Sequence, residues 1–201
     1  MTDRKYTTIF FDWGGVIAND PGDEFLGQLL RNVGATEAQV QEILETYMKR
    51  FMRGEISEAE YWRELRNKYM LTIHDSISDE FKKWHGLIAN DDILALAREA
   101  KKKGLNTAIL SNVIEPTYNV IEQAGYYDLF DEIIASCKVG YIKPEKEIYR
   151  IALDRFGAIA QESIFIDDKQ SMLDPATEMG FKTILARSPG QIMHDVRAFL
   201  S

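Results

Sequence analysis

Apolar residues recur along this chain with two different periods, and the switches between them divide it into three stretches. Residues 7–11 end in Ile9, Phe10 and Phe11 and stop at Asp12, with Gly14 and Gly15 close behind. This predicts a buried strand running into a tight loop, with Asp12 at the strand's carboxyl end. From residue 23 to about 87 the apolar positions fall three and four apart, as in Phe25, Leu26, Leu29, Leu30 and Val33 and again in Ile43, Leu44, Tyr47 and Phe51, which is a helical stripe. Gly34, Gly54 and residues 72–78 break the stripe, and Ser57 with Glu60 forms a capping box. Tyr61, Trp62, Phe81 and Trp84 read as the core between these helices. Beyond residue 91 the two periods alternate: helix to Lys103, strand 107–110, helix 115–124, strand 132–135, helix 145–156, strand 163–166, helix to Met179, strand 182–185 and helix 192–200. Such alternation predicts an α/β fold on a doubly wound, mostly parallel sheet of residues 1–19 and 90–201. Residues 20–89 form an α-helical insertion, and ligands are expected beyond the carboxyl ends of the strands.

A chain of 201 residues can bury a core large enough for an enzyme. Its 24 lysines and arginines against 32 aspartates and glutamates leave a net charge of −8, which makes nucleic acid and anionic membranes poor partners. The one cysteine, Cys137, forms no internal disulfide and fits a reducing cytoplasm. A short charged N-terminus and an apolar run that ends at Phe11 predict neither export nor membrane insertion. His74, His85 and His194 share no ligand spacing, and nothing in the pattern specifies an oligomeric state.

Four features fall at predicted strand ends or loops: Asp12, the Ser111 and Asn112 pair, Lys143 before Pro144, and the Asp167 and Asp168 pair. Singly each has a structural explanation, as a turn cap, a surface lysine or a chance acid pair. Together they offer what a phosphate site needs. Paired carboxylates at the end of an apolar strand suit a hard cation, and a lysine places positive charge where an acidic protein otherwise repels an anion.

In order, Phe11-Asp12-Trp13-Gly14-Gly15-Val16, Leu110-Ser111-Asn112, Lys143-Pro144 and Phe165-Ile166-Asp167-Asp168 resemble the four motifs of the haloacid dehalogenase superfamily. The resemblance covers nearly the whole chain and implies a Rossmann-like core. The insertion, including Arg53-Gly54-Glu55-Ile56-Ser57, is similar to the small α-helical cap of the superfamily's first subclass. It further implies a hydrolase that uses Mg²⁺ and takes a small phosphorylated metabolite, with Asp12 as nucleophile forming an aspartyl-phosphate. Asp12, Asp168 and the backbone carbonyl of Gly14 are then the metal ligands, with Asp167 acting through a water. Ser111, Asn112 and Lys143 are then the groups for the phosphate.

Two departures stand out. Phosphatases of the superfamily usually carry a second aspartate two residues after the nucleophile to protonate the leaving alcohol, and Gly14 stands there. Losing such a group forfeits roughly 10²- to 10⁴-fold in rate, least for leaving groups that need little protonation, so sugar-1-phosphates, acyl phosphates and aryl phosphates are the expected substrates. Met172 stands where relatives often have asparagine, and Asp174 followed by Pro175 reads as an N-cap with proline in the first turn, which predicts a late start for that helix. Two alternatives stay open: a 2-haloacid dehalogenase, and a binder of phosphorylated ligands that does not turn them over. Trp13 faces either the core or the mouth of the site.

Overall fold

The computed structural model of the chain describes residues 6–19, 22–74 and 88–200. Five strands, β1 (Thr8–Phe11), β2 (Asn106–Ser111), β3 (Glu132–Ala135), β4 (Ser163–Asp167) and β5 (Lys182–Leu185), form one sheet in the order β3-β2-β1-β4-β5. Every pairing is parallel. The reason lies in the strand residues. Ile9, Phe11, Ile109, Ile164 and Ile166 enter one core cluster, and their neighbours Phe10, Ala108, Leu110 and Phe165 enter another. Alternate residues point to opposite faces, so strands this apolar need cover on both sides.

Helices supply that cover. On the first face lie α5 (Asp91–Lys102), α6 (Glu115–Gln123) and α10 (Pro189–Leu200), through residues such as Leu96, Ala97, Ile121, Ile192 and Val196. On the second lie α8 (Lys146–Phe156) and α9 (Gln170–Met179), through Ile148, Tyr149, Leu173 and Ala176. Each leucine, isoleucine or valine among them stabilises the fold by about 1.5–3 kcal/mol relative to exposure. A short helix α7 (Ser136–Val139) follows β3 directly.

Between β1 and α5 the chain forms α1 (Gly22–Asn32), α2 (Glu37–Glu42), a π turn (Ile43–Tyr47), α3 (Met48–Met52) and α4 (Glu58–Tyr69). These helices bury Leu26, Leu30, Ile43, Phe51, Tyr61 and Leu65 in a cluster of their own, which Ile114 joins from the loop after β2. The expected capping box at Ser57 and Glu60 is present, and Thr36 with Gln39 forms a second one. Trp62 lies in this core as predicted, whereas Phe81, Trp84 and His85 fall outside the described residues.

One expectation is overturned. The helix near the acidic pair does not start late at Asp174: α9 begins at Gln170 with Lys169 as its N-cap, and Pro175 lies inside it. Asp174 accepts a hydrogen bond from Gln170 Nε2 at 2.7 Å and caps nothing. Burial outweighs the local signal, because Leu173 and Ala176 must face the core on either side of the proline.

Candidate active site

The sheet brings the predicted residues together at the point where strand order reverses. Phe11 pairs with Ile109 on one side and Ile166 on the other, and Asp12 N–H donates to Ile166 O at 2.9 Å. Asp12 therefore leaves β1 beside Asp167, at the carboxyl ends of two adjacent strands. Trp13 N–H donates to Asp12 Oδ1 at 2.7 Å, and Lys143 Nζ bridges Asp12 Oδ2 at 2.8 Å and Asp167 Oδ2 at 2.6 Å. Lys169 N–H donates to Asp167 Oδ1 at 2.8 Å. Both oxygens of each carboxylate are thereby held.

Asp167 and the Lys143 side chain are almost wholly buried, so these charges depend on one another. Burial pulls the Lys143 ammonium down, but the charges of Asp12 and Asp167 outweigh it and keep its pKa above the ordinary value. Burial and the Asp12 charge push Asp167 up to about 7, against the pull of Lys143. One lysine shared by two carboxylates stays charged yet compensates neither fully. Asp12, Asp167 and Asp168 each place an oxygen within 4.8 Å of the others. The all-oxygen donor set is the kind that Mg²⁺ takes.

Gly15 makes the approach of Asp168 possible. Its φ is +74°, and a Cβ there would lie 2.4 Å from Asp168 Cγ. Asn112 is occupied in a way its sequence position does not reveal. Its Oδ1 accepts the Lys143 N–H at 2.7 Å while its Nδ2 donates to Lys143 O at 2.9 Å, so the amide clasps the backbone that carries the lysine. Ser111 ends β2, buried.

Asp12, Gly14, Ser111, Asn112 and Lys143 line one cavity of about 510 Å³. Asp167 and Asp168 are not in its wall, and Asp167 meets it through Lys143. Trp13 resolves as both of its alternatives: it is buried against Tyr126 and Tyr127, with ring centroids 5.5 and 6.1 Å away, and it also lines the cavity. His74 and His194 are exposed and take no part in the acid group.

The helical insertion reaches the cavity with Leu44, Met48, Lys49, Met52 and Arg53. A polar seam, which the sequence did not announce, fixes it there. Arg53 pairs with Glu145, whose Oε2 accepts the Ile142 N–H at 3.0 Å. Burial alone would raise the Glu145 carboxyl, but Arg53, the Ile142 N–H and Lys49 together hold it below the usual range. Ser136 Oγ donates to Met52 O at 2.7 Å and accepts the Val113 N–H at 2.9 Å. Gly54, at φ +68°, approaches so closely that a Cβ would lie 2.4 Å from Cys137 O. Cys137 is half-buried, and burial pushes its thiol up to about 11.

Residues 6–176 match the family model of the haloacid dehalogenase-like hydrolases. The chain belongs to that family. This haloacid dehalogenase-like hydrolase is 36% identical over 118 residues to bifunctional epoxide hydrolase 2 of Rattus norvegicus, a match to 53% of this chain and 20% of the rat protein. It thus spans about a fifth of the length of that relative and of its mouse counterpart. Sesquiterpene phosphatase astK of Aspergillus oryzae is 26% identical over 86% of this hydrolase and 82% of its own length. A haloacid dehalogenase family enzyme of Bacteroides thetaiotaomicron, solved with magnesium and inorganic phosphate, superposes with a TM-score of 0.72 at 21% identity, covering 89% of this chain and 93% of its own. That likeness shows the shared fold. Among the described residues of this haloacid dehalogenase-like hydrolase, no helix is long and apolar enough to cross a membrane.

Proposed function

We propose that the chain is a magnesium-dependent phosphatase of small phosphate monoesters, with Asp12 as the attacking group and the helical insertion as a cap over the site. The observation that carries this is the convergence of Asp12, Asp167 and Asp168 at one strand-end site, an all-oxygen acid group of the kind that holds a divalent cation. The relative from Aspergillus oryzae, named a phosphatase, and the Bacteroides thetaiotaomicron structure with magnesium and phosphate point the same way. Asp12, Asp168 and the Gly14 carbonyl would hold the ion directly and Asp167 through a water. Bound there, the ion neutralises phosphate charge.

The protein's own groups do the rest. Trp13 N–H and Lys143 orient both oxygens of Asp12 before substrate arrives, which favours an in-line attack. An Asp12 oxygen forms a bond to phosphorus, the ester P–O bond breaks, and its electron pair leaves on the departing oxygen. Water then attacks the phosphorus of the aspartyl-phosphate and releases Asp12 and inorganic phosphate. Lys143 and the Ser111 hydroxyl serve the phosphate oxygens, and Asn112 is a positioning residue that holds the lysine's backbone. Gly14 supplies no acid to the departing oxygen, so esters with acidic leaving groups react fastest.

Phosphate and chloride release, each with and without a chelator, test the proposal. Phosphate release from p-nitrophenyl phosphate in Mg²⁺ is expected, with none after chelation or in Asp12→Asn. Chloride release from a 2-haloacid that survives chelation overturns it in favour of dehalogenation. Absence of any phospho-adduct on Asp12, under turnover and with fluoride trapping agents, overturns it in favour of a binder.

A further inference from the structure

The cavity changes character along its wall. Around Asp12 it is polar and charged, whereas Leu44, Met48, Met52, Val113, Ile114 and Ile142 make the remainder largely apolar. Three of these come from one helical run. Leu44, Met48 and Met52 are four residues apart, the spacing that keeps side chains on one face, and the run carries a π turn in which Met48 N–H reaches back to Ile43 O. Methionine adapts to irregular apolar ligands better than branched side chains do. Several polar groups of this wall are engaged, Arg53 by Glu145, Glu145 also by the Ile142 N–H, and both ends of the Asn112 amide by Lys143, while Lys49 also lines it. A sugar hydroxyl set against the stripe would exchange its bonds to water for contact with thioether and alkyl groups, which is costly, while a hydrocarbon gains by the same move. The volume of about 510 Å³ gives room for a body beyond the phosphate.

We infer that the group esterified to the phosphate is a hydrocarbon, alkyl or aryl, and that the Leu44, Met48 and Met52 stripe is the surface that holds it. The inference rests on the phosphatase reading for where the phosphate sits. It narrows the substrates expected from the sequence by setting sugar phosphates aside.

The test is calorimetric binding of a homologous series of n-alkylphosphonates to the full chain in Mg²⁺, beside Leu44→Gln and Met52→Gln. Both side chains are only partly buried, so these variants spare the insertion's core better than a change at Met48. Affinity is expected to rise about fourfold per added methylene in the wild type. In both variants the rise should flatten while methylphosphonate binds as before. A flat wild-type series, a slope retained in both variants, or tighter binding of a sugar phosphate than of an alkylphosphonate of its size overturns the inference. Turnover of p-nitrophenyl phosphate, followed in parallel, separates the two readings. A steep series without turnover upholds the apolar site and overturns hydrolysis; turnover with a flat series does the reverse.

Discussion

At the scale of single residues, Lys143 is the group on which the site's electrostatics turn. It carries the positive charge between Asp12 and Asp167, and each of the three is largely or wholly buried. Replacing it by methionine keeps much of the volume and strands two carboxylates, a change that typically destabilises by about 3–5 kcal/mol. Lys143→Met is therefore expected to lower the metal-free unfolding free energy by about 3 kcal/mol in urea titrations near neutral pH. An unchanged midpoint and slope would show that the carboxylates need no compensating ammonium. Asn112 shows where residue-level reading of the sequence stops. Its type and place after β2 marked it as a group for the phosphate, but its two amide bonds go to Lys143, 31 positions along the chain. Gly15 was visible as half of a glycine pair; that Asp168 lies against its missing side chain was not, because the contact joins two strand ends.

At the scale of elements, the alternating periods placed all five strands to within a residue or so, since strands covered on both faces must be apolar throughout. Local signals misled where packing overrode them. Asp174 and Pro175 spell a helix start, yet α9 is already four residues old at Asp174 because Leu173 and Ala176 are buried together. An interior proline removes a backbone hydrogen bond and costs a helix about 3 kcal/mol, against about 1 kcal/mol that it returns by restricting the unfolded chain. Pro175→Ala should therefore stabilise the protein by about 1–2 kcal/mol, read as a higher thermal midpoint. A lower midpoint would mean that the ring's packing matters more than the lost bond. The seam between insertion and sheet has its own pH dependence. Because Glu145 is held below its ordinary value, it contributes stability above that value and loses it as pH falls through its lower folded value. Glu145→Gln is expected to cost about 1 kcal/mol near pH 7 and less near pH 3, below the ordinary carboxyl value. Thermal unfolding at the two pH values decides it, and an equal loss at both would remove the ion pair from the seam.

At the scale of the whole molecule, an acidic chain of net charge −8 concentrates further negative charge where two strands diverge. The four-motif order made that gathering legible, since strand ends of a doubly wound sheet converge whatever the loops do. The docking of the helical insertion was illegible, because Arg53 and Glu145 lie 92 positions apart and only the finished packing pairs them. A metal held by the three carboxylates would have a consequence for stability that does not require turnover. A cation that binds the folded acid group and not the unfolded chain stabilises by mass action, by about 2.7 kcal/mol at a concentration one hundred times its Kd. Mg²⁺ should therefore raise the thermal midpoint in a saturable, concentration-dependent way, and chelation should return it to the metal-free value. Asp168→Asn removes one of the three carboxylates without touching the bridge between Lys143, Asp12 and Asp167, so it should shrink the Mg²⁺-dependent shift. If Mg²⁺ shifts the variant as far as the wild type, the ion sits elsewhere, and the convergence of the three carboxylates has some purpose other than holding a metal.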